Sequence, residues 1–186
     1  MPHIRLPEGR AGIRSLLDYR PETAGPLTEL AEILLRGPST LSRGERELIA
    51  TRVSHLNGCR YCTDSHAAFA AAQLPEGAAL VDQVREDPTT SPVPEKLKAL
   101  LAIADAVQIG GKEVQDKHVD MARAAGATDA EIHDCVLIAA AFCMYNRYVD
   151  GLATVLPDSP DAYTAMADRI LTNGYQDSVP GQRTEG

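Results

Sequence analysis

Apolar residues recur every three or four positions along most of the chain, the spacing of helices that bury one face. In LTELAEILLRG, for example, Leu27, Leu30 and Leu34 form one stripe, and Gly37 ends it. No segment combines strand-like alternation with a hairpin turn. The pattern predicts an all-α protein with helices over 27–37, 42–56, 59–73, 76–86, 94–108, 112–126, 131–156 and 160–174.

Capping signals mark the start of two of these helices. Ser42 precedes Glu45 by three residues, and Thr128 precedes Glu131 by three, which is the spacing of a capping box. A shift of 84 residues lays Glu47 on Glu131, and an apolar run follows each of them. This similarity suggests a weak internal helical repeat.

The length and composition are those of a single globular domain. The chain has 186 residues, of which 44% are hydrophobic and 24% charged. We expect one domain over 1–186 with its core at about 24–174. Roughly the first fifteen residues and a tail over 175–186 are expected to be loose, because both are polar and lie at the ends of the chain.

The charge and hydropathy of the chain exclude several classes of partner. A formal net charge of −8 argues against binding to nucleic acid or to an anionic membrane. There is neither a signal-peptide pattern nor an apolar run long enough to span a bilayer, so we expect a cytoplasmic protein. In that reducing compartment a C-x-x-C pair indicates metal or redox chemistry more than a structural disulfide.

The segment ERELIATRVSHLNGCRYCTDSHAAFA gathers most of the reactive side chains. Glu47 is followed by Cys59, Cys62 and His66, in the pattern E-x11-C-x2-C-x3-H. Cys59 falls in the first turn of its helix, where backbone amides stabilise a thiolate. His66 lies one turn after Cys62 on the same face and can exchange a proton with it, directly or through a water.

Glu47 is the candidate to orient the imidazole of His66. It lies on the preceding helix, about ten residues before the Asn-Gly break, and His66 lies about eight residues after it. At about 1.5 Å per residue, two antiparallel helices would bring these residues to within about 3 Å of the same level. One constellation therefore accounts for a carboxylate, an imidazole and two thiols.

Other assignments of the same residues stay open. Cys59, Cys62, His66 and Glu47 could be four zinc ligands, although closed zinc sites mostly use two separated ligand pairs, and no second such pair exists here. The cysteines could also be two buried residues of a helix. His55 either lines the same pocket or is a partly exposed residue at a helix end.

Three residues of the later apolar helix carry weaker predictions. Cys135 and Cys143 share one face and are expected to be small core residues. Arg147 ends the apolar run, and we consider a place in the pocket, an oligomer contact and a structural ion pair, with the ion pair favoured.

The E-x11-C-x2-C-x3-H pattern, with NGC before the first thiol, resembles the AhpD-like alkyl hydroperoxidases of the carboxymuconolactone decarboxylase superfamily. The later segment AAGATDAEIHDCVLIAAAFCMYNRYVDGLATVLP is similar to the second half of its peroxidase-related branch. The resemblance covers roughly 27–157. It implies an all-helical bundle, usually assembled into a homo-oligomer such as a dimer, trimer or hexamer.

The resemblance also implies an activity, the thiol-dependent reduction of hydroperoxides without a metal or organic cofactor. Cys62 would attack the peroxide, Cys59 would resolve the intermediate, and Glu47 and His66 would relay protons. An external dithiol, of lipoyl or thioredoxin type, would then reduce the disulfide through an exposed Cys59. The best-studied branch has a histidine where this chain has Tyr61, which cannot shuttle protons at neutral pH.

Two questions remain open at this point. The helix terminus favours Cys59 as the more acidic thiol, whereas the resemblance and the position of His66 favour Cys62 as the attacking one. The function also has alternatives: a thiol–disulfide exchanger or redox sensor with little peroxidase turnover, or a metal-binding or structural oligomer. A lyase is more distant, since ring-acid decarboxylation needs no dithiol.

Overall fold

A computed structural model describes residues 1–178, and within that range the protein contains α-helices and short 3-10 turns but no strand. The predicted all-α class is confirmed. The helices are α1 Ile13–Tyr19, α2 Pro21–Arg36, α3 Arg43–Leu56, α4 Arg60–Ala71, α5 Gly77–Glu86, α6 Glu95–Ile109, α7 Asp116–Ala124, α8 Asp129–Gly151 and α9 Asp161–Asn173. The 3-10 turns are Gly111–Glu113 and Tyr175–Ser178. No helix of this part of the chain is both long and apolar enough to cross a membrane.

The core forms where α3 and α4 pack against each other and against α6 and α8. Most of its fully buried side chains are aliphatic, and they include Leu48, Ile49, Leu100, Ile103 and Ile138. Each such side chain contributes about 1.5–3 kcal/mol on leaving water. The hairpin of α3 and α4 is therefore held by its own contacts and by two longer helices behind it.

Both predicted capping boxes are present. The Ser42 hydroxyl accepts from the Glu45 amide at 3.2 Å, and the Glu45 carboxylate accepts from the Ser42 amide at 2.7 Å. Thr128 and Glu131 make the equivalent pair of bonds at 3.2 and 2.8 Å. Each cap contributes about 1 kcal/mol, so α3 and α8 have fixed starting points.

Helix α8 differs from its prediction in two ways. It ends at Gly151 rather than at Pro157, because the chain turns back at Ala153, whose φ is 49°. It is also continuous through Ala141 and Phe142, which the proposed 84-residue shift lays on the Asn-Gly break between α3 and α4. The 84-residue shift therefore does not align helix with helix, since one uninterrupted helix stands where the other segment has two.

Both ends of the chain are more ordered than predicted. Helix α1 begins at Ile13, and Leu16 and Leu17 are buried, so the packed core begins before residue 24. At the other end Tyr175 and Ser178 are buried within the 3-10 turn. Apolar contacts hold both segments in place, and the rest of the predicted tail, 179–186, lies outside the described residues.

Candidate active site

A polar network fixes the turn that joins α3 to α4. Asn57 donates to the Asn146 side-chain oxygen at 2.8 Å, and Asn146 donates to Ser54 Oγ at 3.0 Å. Gln108 donates to the side-chain oxygen of Asn57 at 3.0 Å. Because every member is bonded to a neighbouring helix, the turn holds the start of α4, and with it Cys59, in one position.

The predicted contact between Glu47 and His66 is present. Glu47 Oε2 lies 2.7 Å from His66 Nδ1, which joins the antiparallel helices α3 and α4 at the level expected from their lengths. The other carboxylate oxygen accepts a hydrogen bond from the Tyr175 hydroxyl at 2.6 Å. Glu47 is fully buried, so these bonds replace the water that a carboxylate needs.

Aromatic rings hold the imidazole of His66 from several sides. Phe142 and Phe69 present edges to it at centroid distances of 4.5 and 5.1 Å, and Tyr175 stacks at 6.2 Å with an interplanar angle of 12°. With Nδ1 on Glu47, the ring orientation is fixed and Nε2 is left for proton exchange with a group in the cavity.

The two thiols are reduced and close together, but they differ in access. Cys59 is the N-cap residue of α4 and has no exposed surface, whereas Cys62 is 4% exposed and lines a cavity. The prediction of an exposed Cys59 is therefore wrong. Tyr163 and Met166 of α9 pack over the thiols, which closes the route to Cys59 from outside.

The pKa of Cys59 is raised, first by its hydrogen bond with the Cys62 side chain and next by burial. A raised pKa goes against the expectation that the helix terminus makes Cys59 acidic. Of the two sulfurs, that of Cys62 is the one that faces the cavity.

The cavity beside Cys62 has a volume of about 70 Å³ and a mainly apolar wall. Besides Cys62, its lining contains residues with polar groups, namely His66, Tyr61, Thr28, Tyr145, Tyr175 and Ser178. The rest of the lining is apolar and consists of Ile13, Leu17, Leu27, Ala31 and Phe142. The space is sufficient for several waters or for a hydroperoxy group. A large organic body would have to displace the covering segments.

Tyr61 forms part of the cavity wall, as predicted for a pocket residue. Its ring lies directly over Gly12, where a Cβ atom would overlap the ring and where φ is +57°. Burial raises the pKa of Tyr61 to about 12, so the hydroxyl stays protonated at neutral pH. Glycine at position 12 is thus required for the N-terminal arm to close on the site.

Sequence reasoning missed Tyr175, which lies in the segment predicted to be loose. Its amide donates to Glu32 Oε2 at 2.7 Å and anchors the 3-10 turn to α2. Gly174 before it has a φ of +78°, and a Cβ there would stand 2.6 Å from the same carboxylate oxygen. A glycine and an aromatic residue just after the last predicted helix were the only signal.

Two residues predicted as pocket candidates lie elsewhere. His55 is exposed at the end of α3, and its pKa is lowered by partial burial and by the charges of Arg85 and Arg52. Arg147 is exposed and donates to the Cys143 carbonyl at 2.8 Å, in a different cleft of about 600 Å³. Within residues 1–178 Arg147 makes no ion pair, so the favoured structural pair is also wrong.

The other two cysteines, Cys135 and Cys143, lie outside the cavity beside Cys62. Cys135 is a core residue whose thiol donates to the Leu100 carbonyl at 3.1 Å, and burial raises its pKa to about 12. Cys143 is half-buried.

In the described part of the chain no three His, Cys, Asp or Glu side chains are arranged to hold a metal ion. Both oxygens of Glu47, which the zinc alternative would use as a ligand, are bonded to protein groups instead.

Comparison with known families gives a match over most of the chain. Residues 21–74 and 75–155 match the carboxymuconolactone decarboxylase family. The chain belongs to this family. None of the curated proteins matches it.

Solved structures place the chain in the AhpD-like part of that superfamily. An uncharacterized peroxidase-related protein from Ralstonia eutropha JMP134, described as an alkylhydroperoxidase AhpD core, superposes with a TM-score of 0.73 and 26% identity over 82% of this chain and 78% of its own. An uncharacterized peroxidase-related protein from Silicibacter sp. TM1040 superposes with a TM-score of 0.74 and 24% identity, over 83% of this chain and 79% of its own. A protein of unknown function from Agrobacterium tumefaciens superposes with a TM-score of 0.67 and 26% identity, over 81% of this chain and 100% of its own. The all-helical AhpD-like fold is thereby confirmed.

Proposed function

We propose that this protein is a thiol peroxidase that reduces hydroperoxides through Cys62 and Cys59. The observation that carries the proposal is the Glu47–His66 pair, at 2.7 Å, in a cavity that reaches only one of two adjacent reduced thiols. Similarity to structures described as peroxidase-related supports the same chemistry.

In the first half-reaction His66, oriented by Glu47, takes the proton of Cys62 directly or through a water. The Cys62 thiolate attacks the terminal oxygen of R–O–O–H, the O–O bond breaks, and the sulfur is oxidised to a sulfenic acid. The leaving alkoxide takes the proton from His66 and departs as an alcohol. Because Glu47 is fully buried and bonded on both oxygens, its charge is available to stabilise the imidazolium.

In the second half-reaction the Cys59 thiol condenses with the sulfenic acid, forming the disulfide and releasing water. An external dithiol then reduces this disulfide, becoming a disulfide itself and returning two thiols. Because Cys59 has no exposed surface, we place the attack of the reductant at the Cys62 sulfur, which faces the cavity. This order replaces reduction through an exposed Cys59.

A second function, thiol–disulfide exchange or redox sensing, uses the same dithiol. The specific observation in its favour is Tyr61, whose raised pKa removes it from proton transfer and leaves His66 as the cavity's acid and base. The two functions differ in turnover. A peroxidase consumes many equivalents of hydroperoxide with excess dithiol, whereas an exchanger or sensor stops near one.

Intact mass after one equivalent of organic hydroperoxide tests the proposal. The wild type should lose two hydrogens, and Cys59→Ser should gain one oxygen at Cys62. Cys62→Ser should stay unchanged. Cys143→Ser is the matched control, because this half-buried thiol lies outside the cavity, and it should react as the wild type does. An unchanged wild type after several minutes would remove the peroxidase function.

We also propose that the protein forms a homo-oligomer. Leu137 and Met144, seven residues apart on one face of α8, are 38% and 44% exposed, and Ile109 is 75% exposed. Apolar side chains exposed on one surface are typical of a protein contact. Light scattering after size exclusion should give a multiple of 19.9 kDa, and a monomer at micromolar concentration would contradict this.

A further inference from the structure

A second cleft, separate from the dithiol cavity, lies between the N-terminal arm, α1 and α9. It has a volume of about 670 Å³, within the range of small-molecule sites. Three arginines line it: Arg10, Arg14 and Arg169. The rest of its wall is mostly apolar and consists of Ala11, Val155, Leu156, Pro157, Ala162, Ala165 and Met166, with Gly9, Asp158 and Ser159.

The arginines of this cleft are incompletely neutralised. Arg10 pairs with Asp18 at 3.1 Å, and Arg169 pairs with Asp177 at 3.2 Å. Arg14 has no carboxylate within ion-pair distance among residues 1–178. Asp158 is the one carboxylate in the lining of the cleft, and it makes no ion pair with Arg14, so the charge of Arg14 is the one left without a paired carboxylate in the described residues.

Two guanidinium nitrogens at the cleft also lack an acceptor. Arg14 Nε and Arg10 Nη1 are buried, and neither has a hydrogen-bond partner within the described residues. Burial, followed by the charges of Arg169 and Arg10, lowers the pKa of Arg14 to about 10. A buried donor without an acceptor is costly, and a bound anion would reduce the mutual repulsion of the guanidinium groups, so an acceptor that reaches these nitrogens would be stabilising.

We propose that this cleft binds the carboxylate of an aliphatic molecule. Guanidinium groups match a carboxylate in shape and charge and bind it through paired N–H donors. The apolar wall formed by 155–157 and by the alanines of α9 suits an alkyl chain rather than a polar ligand.

The cleft and the dithiol cavity share a boundary. Tyr61 lines the cavity beside Cys62, and its hydroxyl contacts the Met166 sulfur at 3.8 Å, while Met166 lines the cleft. A carboxylate ligand would thus lie about one side chain from the reactive thiols. If the proposed function holds, the ligand is either a hydroperoxide that carries a carboxylate or a dithiol reductant that carries one.

Calorimetric titration of the reduced protein with octanoate tests the site without any peroxide. Octanoate should bind saturably and octanamide should not. Arg14→Gln and Arg169→Gln should each weaken octanoate binding by at least about tenfold, which is the scale of one lost charge-assisted contact. Arg123→Gln, at an exposed arginine paired with Asp129, is the control and should bind as the wild type does.

Thermal unfolding of each variant shows whether it is folded. The octanoate binding of Arg14→Gln and that of Arg169→Gln are then interpreted separately. No saturable octanoate binding to the wild type, or equal binding by both folded variants, would overturn the site. Because these titrations contain no oxidant, a failure of the thiols to react with peroxide would affect only the proposed function.

Kinetics then distinguish the two sources of the carboxylate. If the ligand is the substrate, a carboxylate-bearing hydroperoxide should show a KM at least about tenfold below that of its methyl ester, and Arg14→Gln should abolish the difference. If the ligand is the reductant, a carboxylate-bearing dithiol should reduce the oxidised protein faster than its amide does. Equal behaviour of both pairs would overturn the link between the cleft and the dithiol.

Discussion

Tyr175→Phe removes a single hydroxyl group from the proposed proton relay. The substitution leaves the ring that stacks on His66 and the backbone amide that donates to Glu32. What disappears is the 2.6 Å hydrogen bond to Glu47 Oε1. Since Glu47 is fully buried, no bulk water is at hand to replace that donor.

The expected cost follows from the charge of the acceptor. A hydrogen bond to a charged group contributes about 1.5–3 kcal/mol, against about 0.5–1.5 kcal/mol for a neutral pair. Tyr145→Phe is the matched control, because Tyr145 lines the same cavity and donates at 2.8 Å to the neutral carbonyl of Leu27. Tyr175→Phe should therefore reduce the free energy of unfolding by about 1 kcal/mol more than Tyr145→Phe.

Urea unfolding at pH 7 and one fixed protein concentration measures the loss in free energy of unfolding for each tyrosine variant. A double-mutant cycle with Glu47→Gln should return a coupling energy of about 1 kcal/mol between Tyr175 and Glu47, because the Gln oxygen still accepts a neutral hydrogen bond. Equal losses for the two tyrosine variants, or a coupling energy near zero, would refute the reasoning. Such a result would mean that the hydroxyl of Tyr175 does not compensate the buried charge.

Three further outcomes are expected. Gly174→Ala should destabilise the protein by about 1 kcal/mol or more in urea unfolding, because φ is +78° and the added Cβ meets the Glu32 carboxylate. Burial alone would raise the pKa of Glu131, but bonds from Lys96, the Thr128 amide and Thr40 outweigh it and hold the pKa at about 2. Because this folded-state pKa lies below the ordinary 4.5, the contribution of Glu131 to stability is complete above pH 4.5 and is lost as the pH falls towards 2. The difference in free energy of unfolding between wild type and Glu131→Gln, measured by urea unfolding at several pH values, should therefore close over that range. Turnover of cumene hydroperoxide should exceed that of hydrogen peroxide, because the apolar cavity wall favours an organic peroxide once the covering segments have moved to admit its body, and an equal or inverted preference would contradict this.

Local sequence patterns predicted the parts of the site that lie close together along the chain. Capping spacing and the Asn-Gly break define α3 and α4, and their lengths bring Glu47 to His66, 19 positions apart. These features depend on helix geometry alone, which one sequence contains. The prediction of an exposed Cys59 failed because Tyr163 and Met166 of α9 pack over it, a contact that no local pattern specifies.

The missed elements have weak local signals and many distant contacts. Helix α1 has only seven residues, and its N-cap is a glycine without a side-chain bond. Tyr175 contacts Glu47 across 128 positions and Glu32 across 143. Such contacts arise from the packing of the whole bundle, so an isolated polar segment gives no indication of them.

The distance along the chain between Glu47 and Tyr175 has a consequence for the order in which the site is assembled. Glu47 and His66 come from neighbouring helices that can pair as soon as both are made. At a synthesis rate of about 5–20 residues per second, Tyr175 follows Glu47 by roughly 6 to 25 s. During that interval a nascent chain can hold the Glu47–His66 pair with one carboxylate oxygen still in water, and the buried relay is complete only after α9 has closed over the dithiol.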